Sequence, residues 1–200
     1  MMKRFTACAV AFFISQLHAA TGASNDRHQE ESRIAELRAE LRGPESATLI
    51  LSRHCARLGI VPPAIRAMRQ IGPPRPASAA LHALLRLNTG ESVEYRRVRL
   101  MCGTRVLSDA ENWYVPARLT AAMNRALDQT DTPFGTVVRP LGFHREILDV
   151  ETLSDARYVL RVHAVLVSGS GRPFSAVVES YRRTLVDDHS LGVRRGHITN

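Results

Sequence analysis

Lysine is almost missing. Lys3 is the only one among 27 basic residues, which stand against 19 acidic ones for a formal net charge of +8. An arginine-only basic set is explained by coding bias as well as by an anionic partner, so no nucleic-acid binding is read from charge. Aromatics are scarce, 6% with Trp113 the single tryptophan, which argues against a stacking platform for sugars or RNA bases. The three cysteines, Cys8, Cys55 and Cys102, have no paired spacing, and His54, His82, His144, His163 and His189 are scattered with no HExxH. No metal site and no cofactor are expected from such a set. His54 and Cys55 are neighbours, but adjacent helical positions point about 100° apart and do not make a nucleophile–base pair. No GxSxG occurs, and Gly169-Ser170-Gly171 reads as a turn rather than a phosphate loop. What is present is ordinary: 200 residues, 44% hydrophobic and 23% charged, enough for one globular domain.

The longest apolar stretch is at the start. Met1-Met2-Lys3-Arg4 leads into Phe5 to Leu17 and then into His18-Ala19-Ala20-Thr21-Gly22-Ala23. A basic lead, an apolar run of about 7–15 residues and a small-residue exit are the layout of a secretory signal. The run is short of the roughly 20 residues a membrane span needs, so no integral span is expected after cleavage. Residues 1–23 are read as a signal peptide, and the mature protein as exported, most simply to a periplasm. Cleavage removes Cys8 and leaves Cys55 and Cys102. In an oxidising compartment that pair allows one disulfide across a long loop; two buried thiols are the other reading, and spacing does not choose between them.

Residues 24–44 read as a flexible polar lead and a helix from about Glu30 to Arg42, with Ile34, Leu37 and Leu41 at helical spacing. The domain proper is expected over 45–190 and a disordered basic tail over 191–200. Ser46 is placed to cap a helix from Ala47 to Leu58. Prolines bracket Ile65 to Ile71, a short strand or a helical turn, and Leu81, Leu84, Leu85 and Leu87 suggest a short helix. Past Gly90 the pattern turns to strands. Val93–Cys102 and Arg105–Val115 flank Gly103-Thr104 as a hairpin, and Phe143–Val150, Arg157–Ser168 and Pro173–Val186 follow a helix over Leu119–Asp128 that Thr120 can cap. Helices early and strands late, joined by tight turns, predict an antiparallel α+β domain.

Charges interrupt those strands. Arg97 and Arg99 share a face with Tyr95 and Met101, and Glu179 shares one with Val177 and Tyr181. They lie either on a solvated face or in a pocket where a guanidinium forks a carboxylate and Glu179 meets a hydroxyl.

Several short motifs follow one another in order. Ser46-Ala47-Thr48 opens an early helix; Gly90-Glu91-Ser92-Val93 leads into Tyr95–Cys102, and the hairpin ends at Trp113-Tyr114-Val115-Pro116. Thr132-Pro133-Phe134-Gly135, Arg145, and Gly171-Arg172-Pro173 before Glu179 complete the series. In this order and with these gaps, most densely from Leu87 to Arg145, the chain resembles the chorismate lyase family, whose fold also serves as the effector-binding domain of bacterial transcription regulators. The resemblance implies a six-stranded antiparallel sheet with surrounding helices and a largely enclosed pocket. It assigns the carboxylate-gripping arginine to Arg97, the ring-hydroxyl glutamate to Glu179, and backbone contacts to Phe134 and Ala47. Arg97 and Glu179 would then be the catalytic pair for eliminating pyruvate from chorismate to give 4-hydroxybenzoate. Two features depart from the pattern. Asn112 stands where the lyases carry a second arginine, and chorismate is cytoplasmic whereas this chain begins like an exported one. The expectations are therefore a chorismate pyruvate-lyase-type carbon–oxygen lyase; a non-catalytic binding module for a small aromatic or carboxylated ligand; or a structural, partner-binding envelope protein.

Overall fold

The computed structural model describes residues 10–60 and 64–187, with side chains from residue 25 onward. Positions 1–9 of the expected signal peptide and the expected tail over 191–200 lie outside the described residues. The chain forms helices α1 (Val10–Arg42), α2 (Ala47–Arg57), α3 (Ala79–Leu84), α4 (Ala121–Gln129) and α5 (Phe134–Val137). Its strands are β1 (Ile65–Arg69), β2 (Glu94–Cys102), β3 (Arg105–Tyr114), β4 (His144–Thr152), β5 (Tyr158–Val167) and β6 (Pro173–Arg182). They make one antiparallel sheet in the order β1-β2-β3-β6-β5-β4, so the undecided segment after residue 64 is an edge strand.

The hydrophobic alternation explains which side faces the helices. Val98 lies opposite Ala110, Ala110 opposite Glu179, and Glu179 opposite Val162, so these four share one face. That inner face also carries Leu100, Val177, Leu166 and Tyr181, and it packs with Ile50 and Leu51 of α2 and Met123 and Leu127 of α4 in one core. Side-chain caps start the helices as the sequence suggests: Ser46 Oγ accepts from Leu49 N at 3.3 Å and Thr120 Oγ1 from Met123 N at 3.1 Å. Gly103 turns the β2–β3 hairpin at φ +56°, a conformation that costs other residues steric strain.

Three expectations need correction or completion. Residues 24–33 are helical, not a flexible lead: Glu30 pairs with Arg183, and Arg33 Nη1 donates to Val186 O at 3.1 Å, so tertiary contacts hold a segment that has no apolar periodicity. Leu37 and Leu41 lie in the sheet's own core, so the packed unit begins before residue 45. Cys55 and Cys102 form a disulfide that joins the last turn of α2 to the end of β2, 47 residues apart, with Cα atoms at 5.7 Å. Closing a loop of that length is worth about 4 kcal/mol in the chain-entropy account.

The outer face is covered unevenly. Leu85 and Val115 pack on Ala176 of β6, with Leu81 and Leu84 of α3 against them. Toward β1 the cover gives way, and Arg66, Met68 and Arg97 are exposed.

Candidate functional site

A cavity lies between the inner face and the starts of α2 and α5. Its empty volume, counted together with the open solvent at its mouth, is about 440 Å³. The walls are mostly apolar: Val98, Leu100, Ala110, Leu166 and Val177 from the sheet, Phe134 and Phe143 from the helical side. Ser46, Ala47 and Thr48 close one edge where α2 begins, and Pro133 and Gly135 stand beside them. A Cβ on Gly135 would meet Thr48 Oγ1 at 3.3 Å, so this glycine lets α5 approach α2 closely.

Charge enters the cavity as a neutralised set. Arg145 Nη2 donates to Glu179 Oε2 at 2.9 Å, and the same oxygen accepts from Tyr181 Oη at 2.9 Å. The Arg145 side chain is only 2% exposed and that of Glu179 11%. Arg145 Nη1 also donates to Glu45 O at 3.3 Å, just before α2. Burial works to lower the affinity of Arg145 for its proton, but the Glu179 charge and then Tyr181 outweigh it, so the guanidinium is held above its ordinary value. Burial, followed by the Glu179 charge, pushes the Tyr181 phenol well above its own. Among the described residues Glu179 Oε1 takes no hydrogen bond, which leaves it for a donor in the cavity.

A second polar group stands along the same face. Asn112 lines the cavity and is opposite Arg96 in the β2–β3 ladder. Arg96 is 2% exposed, and neither its Nε nor its Nη1 has a hydrogen-bond partner. Burial, with Arg69 adding to it, lowers its pKa against the opposing pull of Asp128 and Asp131. A buried guanidinium with unmet donors is costly, and an anion brought to it recovers that cost.

The structure thus sorts the sequence-derived residues. Glu179, Phe134 and Ala47 line the cavity; Arg97 does not. Arg97 is exposed on the outer face, across from Glu111, and the inward arginine of the strand is Arg96. The physical reason is parity: Arg96, Val98 and Leu100 alternate toward the core, whereas Arg97 follows Tyr95 and Arg99 outward. The signal that could have found Arg96 was the apolar pair Val98 and Leu100 on its own face. Arg145, noted only as part of a strand motif, is the partner of Glu179. Among the described residues no group of three His, Cys, Asp or Glu side chains is placed to hold a metal.

A helix-bordered cavity on one face of a six-stranded antiparallel sheet is the chorismate-lyase-like fold, which is that of the effector domains of GntR-type regulators. PhnF from Mycobacterium smegmatis matches at a TM-score of 0.50 and 14% identity, over 70% of this chain and 65% of its own. Its effector domain matches at 0.49 and 14%, over 70% of this chain and 91% of the domain. At such identity the likeness is one of fold. In sequence, no family model matches the chain. Protein y4mC of Sinorhizobium fredii, described as uncharacterized, is 41% identical over 175 residues, 76% of this chain and 74% of that protein. The chain belongs to the y4mC family.

Proposed function

We propose that this protein is a binding module that holds a small aromatic carboxylate without turning it over. The observation that carries the reading is the cavity itself: apolar walls, Asn112 in the lining with the buried Arg96 and its unmet donors opposite it in the ladder though not itself a lining residue, and a neutral Arg145–Glu179–Tyr181 set with one free carboxylate oxygen. A carboxylate directed to Arg96 and a hydroxyl directed to Glu179 Oε1 would use both. The elimination of pyruvate from chorismate is the weaker reading, because a dicarboxylate needs two cations. Arg145 is already neutralised by Glu179, and Asn112 offers an amide where the lyases place an arginine. Calorimetric titration with 4-hydroxybenzoate tests the proposal: one ligand per chain is expected, with binding lost in Arg96→Met. Incubation with chorismate should release no 4-hydroxybenzoate above the uncatalysed rate; release above it overturns the non-catalytic reading.

The same proposal places the protein outside the cytoplasm. Support comes from the Lys3-Arg4 lead, the Phe5–Leu17 run, and the Cys55–Cys102 bridge, a bond that oxidising compartments maintain. Fractionation with N-terminal sequencing tests it. A mature start between residues 20 and 24 is expected, and a cytoplasmic protein that retains Met1 refutes it.

A further inference from the structure

The outer face near β1 carries a second surface that the cavity does not use. Arg66 and Arg97 are exposed there, and neither has an acidic partner among the described residues. The two carboxylates on the same face of β3 are already engaged: Glu111 takes Arg75 Nη1 at 3.1 Å and Tyr95 Oη at 2.5 Å, and Asp109 takes Arg99 Nε at 3.4 Å and Arg182 Nη2 at 2.6 Å. The face therefore has a surplus of arginine.

Apolar groups stand among these cations. Met68 is 44% exposed, and Ile71 is fully so, at 102%. Ile71 begins the segment Ile71-Gly72-Pro73-Pro74-Arg75-Pro76, and its exposure is not a fraying end. Gln70 N donates to Arg97 O at 2.9 Å on one side, and Trp113 Nε1 donates to Arg75 O at 3.0 Å on the other, so the segment is pinned across β2 and β3 with Ile71 outward.

We infer that this face docks on an anionic lipid surface, with Arg66 and Arg97 at the headgroup phosphates and Ile71 entering the interface. Charge complementarity selects an anion. Among anions, a lipid surface is the one that also accepts apolar side chains, whereas a soluble polyanion would leave Ile71 and Met68 in water. The apolar residues protrude instead of lining a recess, which suits insertion better than a protein hot spot seated in a pocket. Among the described residues no helix is long and apolar enough to cross a membrane, so the contact is peripheral.

Co-sedimentation of the full chain with phosphatidylcholine vesicles, with and without about one-third phosphatidylglycerol, tests the inference. The apolar N-terminal run contributes to both vesicle types, so the readout is the preference for the anionic ones and its change on substitution. Wild type should prefer anionic vesicles and lose that preference in high salt. Arg66→Glu with Arg97→Glu should weaken binding by at least about five-fold per arginine. Ile71→Asp should weaken it separately. Thermal unfolding and 4-hydroxybenzoate titration of the same variants should match wild type, which separates this face from the cavity. Equal binding to both vesicles, or variants that bind as wild type does, overturns the inference and leaves the arginines to an acidic protein.

Discussion

The two faces of one sheet use arginine in opposite ways. On the inner face Arg145 and Arg96 are buried beside apolar side chains; one is fully paired with Glu179 and the other has donors to spare. On the outer face Arg97 is water-exposed and Arg99 half-buried, and the acids Glu111 and Asp109 are shared among tyrosines and arginines. Adjacent residues of one strand, Arg96 and Arg97, are thus buried and exposed respectively. The difference teaches that charge count says little here, and that position on the pleat decides whether a guanidinium is solvated or buried.

The comparison can be broken most sharply at Glu179. Glu179→Leu leaves Arg145 buried without its counter-charge and should cost about 3–5 kcal/mol in denaturant unfolding, whereas the double change with Arg145→Met should recover most of that. Recovery failing would mean that the pair contributes more than mutual neutralisation. Next in size is the bridge that fastens the inner helical layer: Cys55→Ser should lower stability by about 2–4 kcal/mol under oxidising conditions and by nothing once the wild type is reduced.

The neighbouring arginines give the most direct contrast. Without ligand, Arg96→Met should raise stability by about 1–3 kcal/mol, because a desolvated charge with unmet donors is removed, and should abolish carboxylate binding. Arg97→Met should change stability by less than about 0.5 kcal/mol and leave carboxylate binding intact. Equal effects at the two positions would erase the distinction between the faces.

The smallest effect is expected in alkaline titration. Burial first raises all four tyrosines above their ordinary value of 10; for outer-face Tyr95 it is pushed up to about 12, helped by Glu111, and for inner-face Tyr181 well above 10. The folded state therefore favours the neutral phenol, so the stability from Tyr95 is complete below pH 10 and is lost as pH rises toward 12. Absorbance titration should show no tyrosine ionising at its ordinary value, and Tyr95→Phe should remove an alkaline step near pH 12.

Much of this architecture was legible before any coordinates. The Ser46 and Thr120 caps, the Gly103 hairpin and the strands on either side of Gly169-Ser170-Gly171 follow from local chemistry, and they are where the patterns put them. What was not legible depends on long-range contact. Residues 24–33 carry no apolar stripe, and their helix is held from the far end of the chain through Arg183. Segment 65–69 is too short for periodicity and becomes a strand by pairing with β2. Of the residues singled out from sequence, Glu179, Phe134 and Ala47 line the cavity, but both faces of Tyr95–Cys102 mix apolar and arginine residues, so alternation alone did not reveal which arginine turns inward. The Arg145–Glu179 contact spans 34 positions and two strands, which no local rule reaches.

The attachment of α2 links the disulfide to the rim of the cavity. Its last turn is bolted to the sheet by Cys55, while its first residues, Ser46 to Thr48, form the rim of the cavity. Eight residues separate Cys55 from Ala47, about 12 Å of helix at 1.5 Å per residue. Between the two ends Ile50 and Leu51 are fully buried in the sheet's core, so the rim is held by packing along the helix as well as by the bond at its far end.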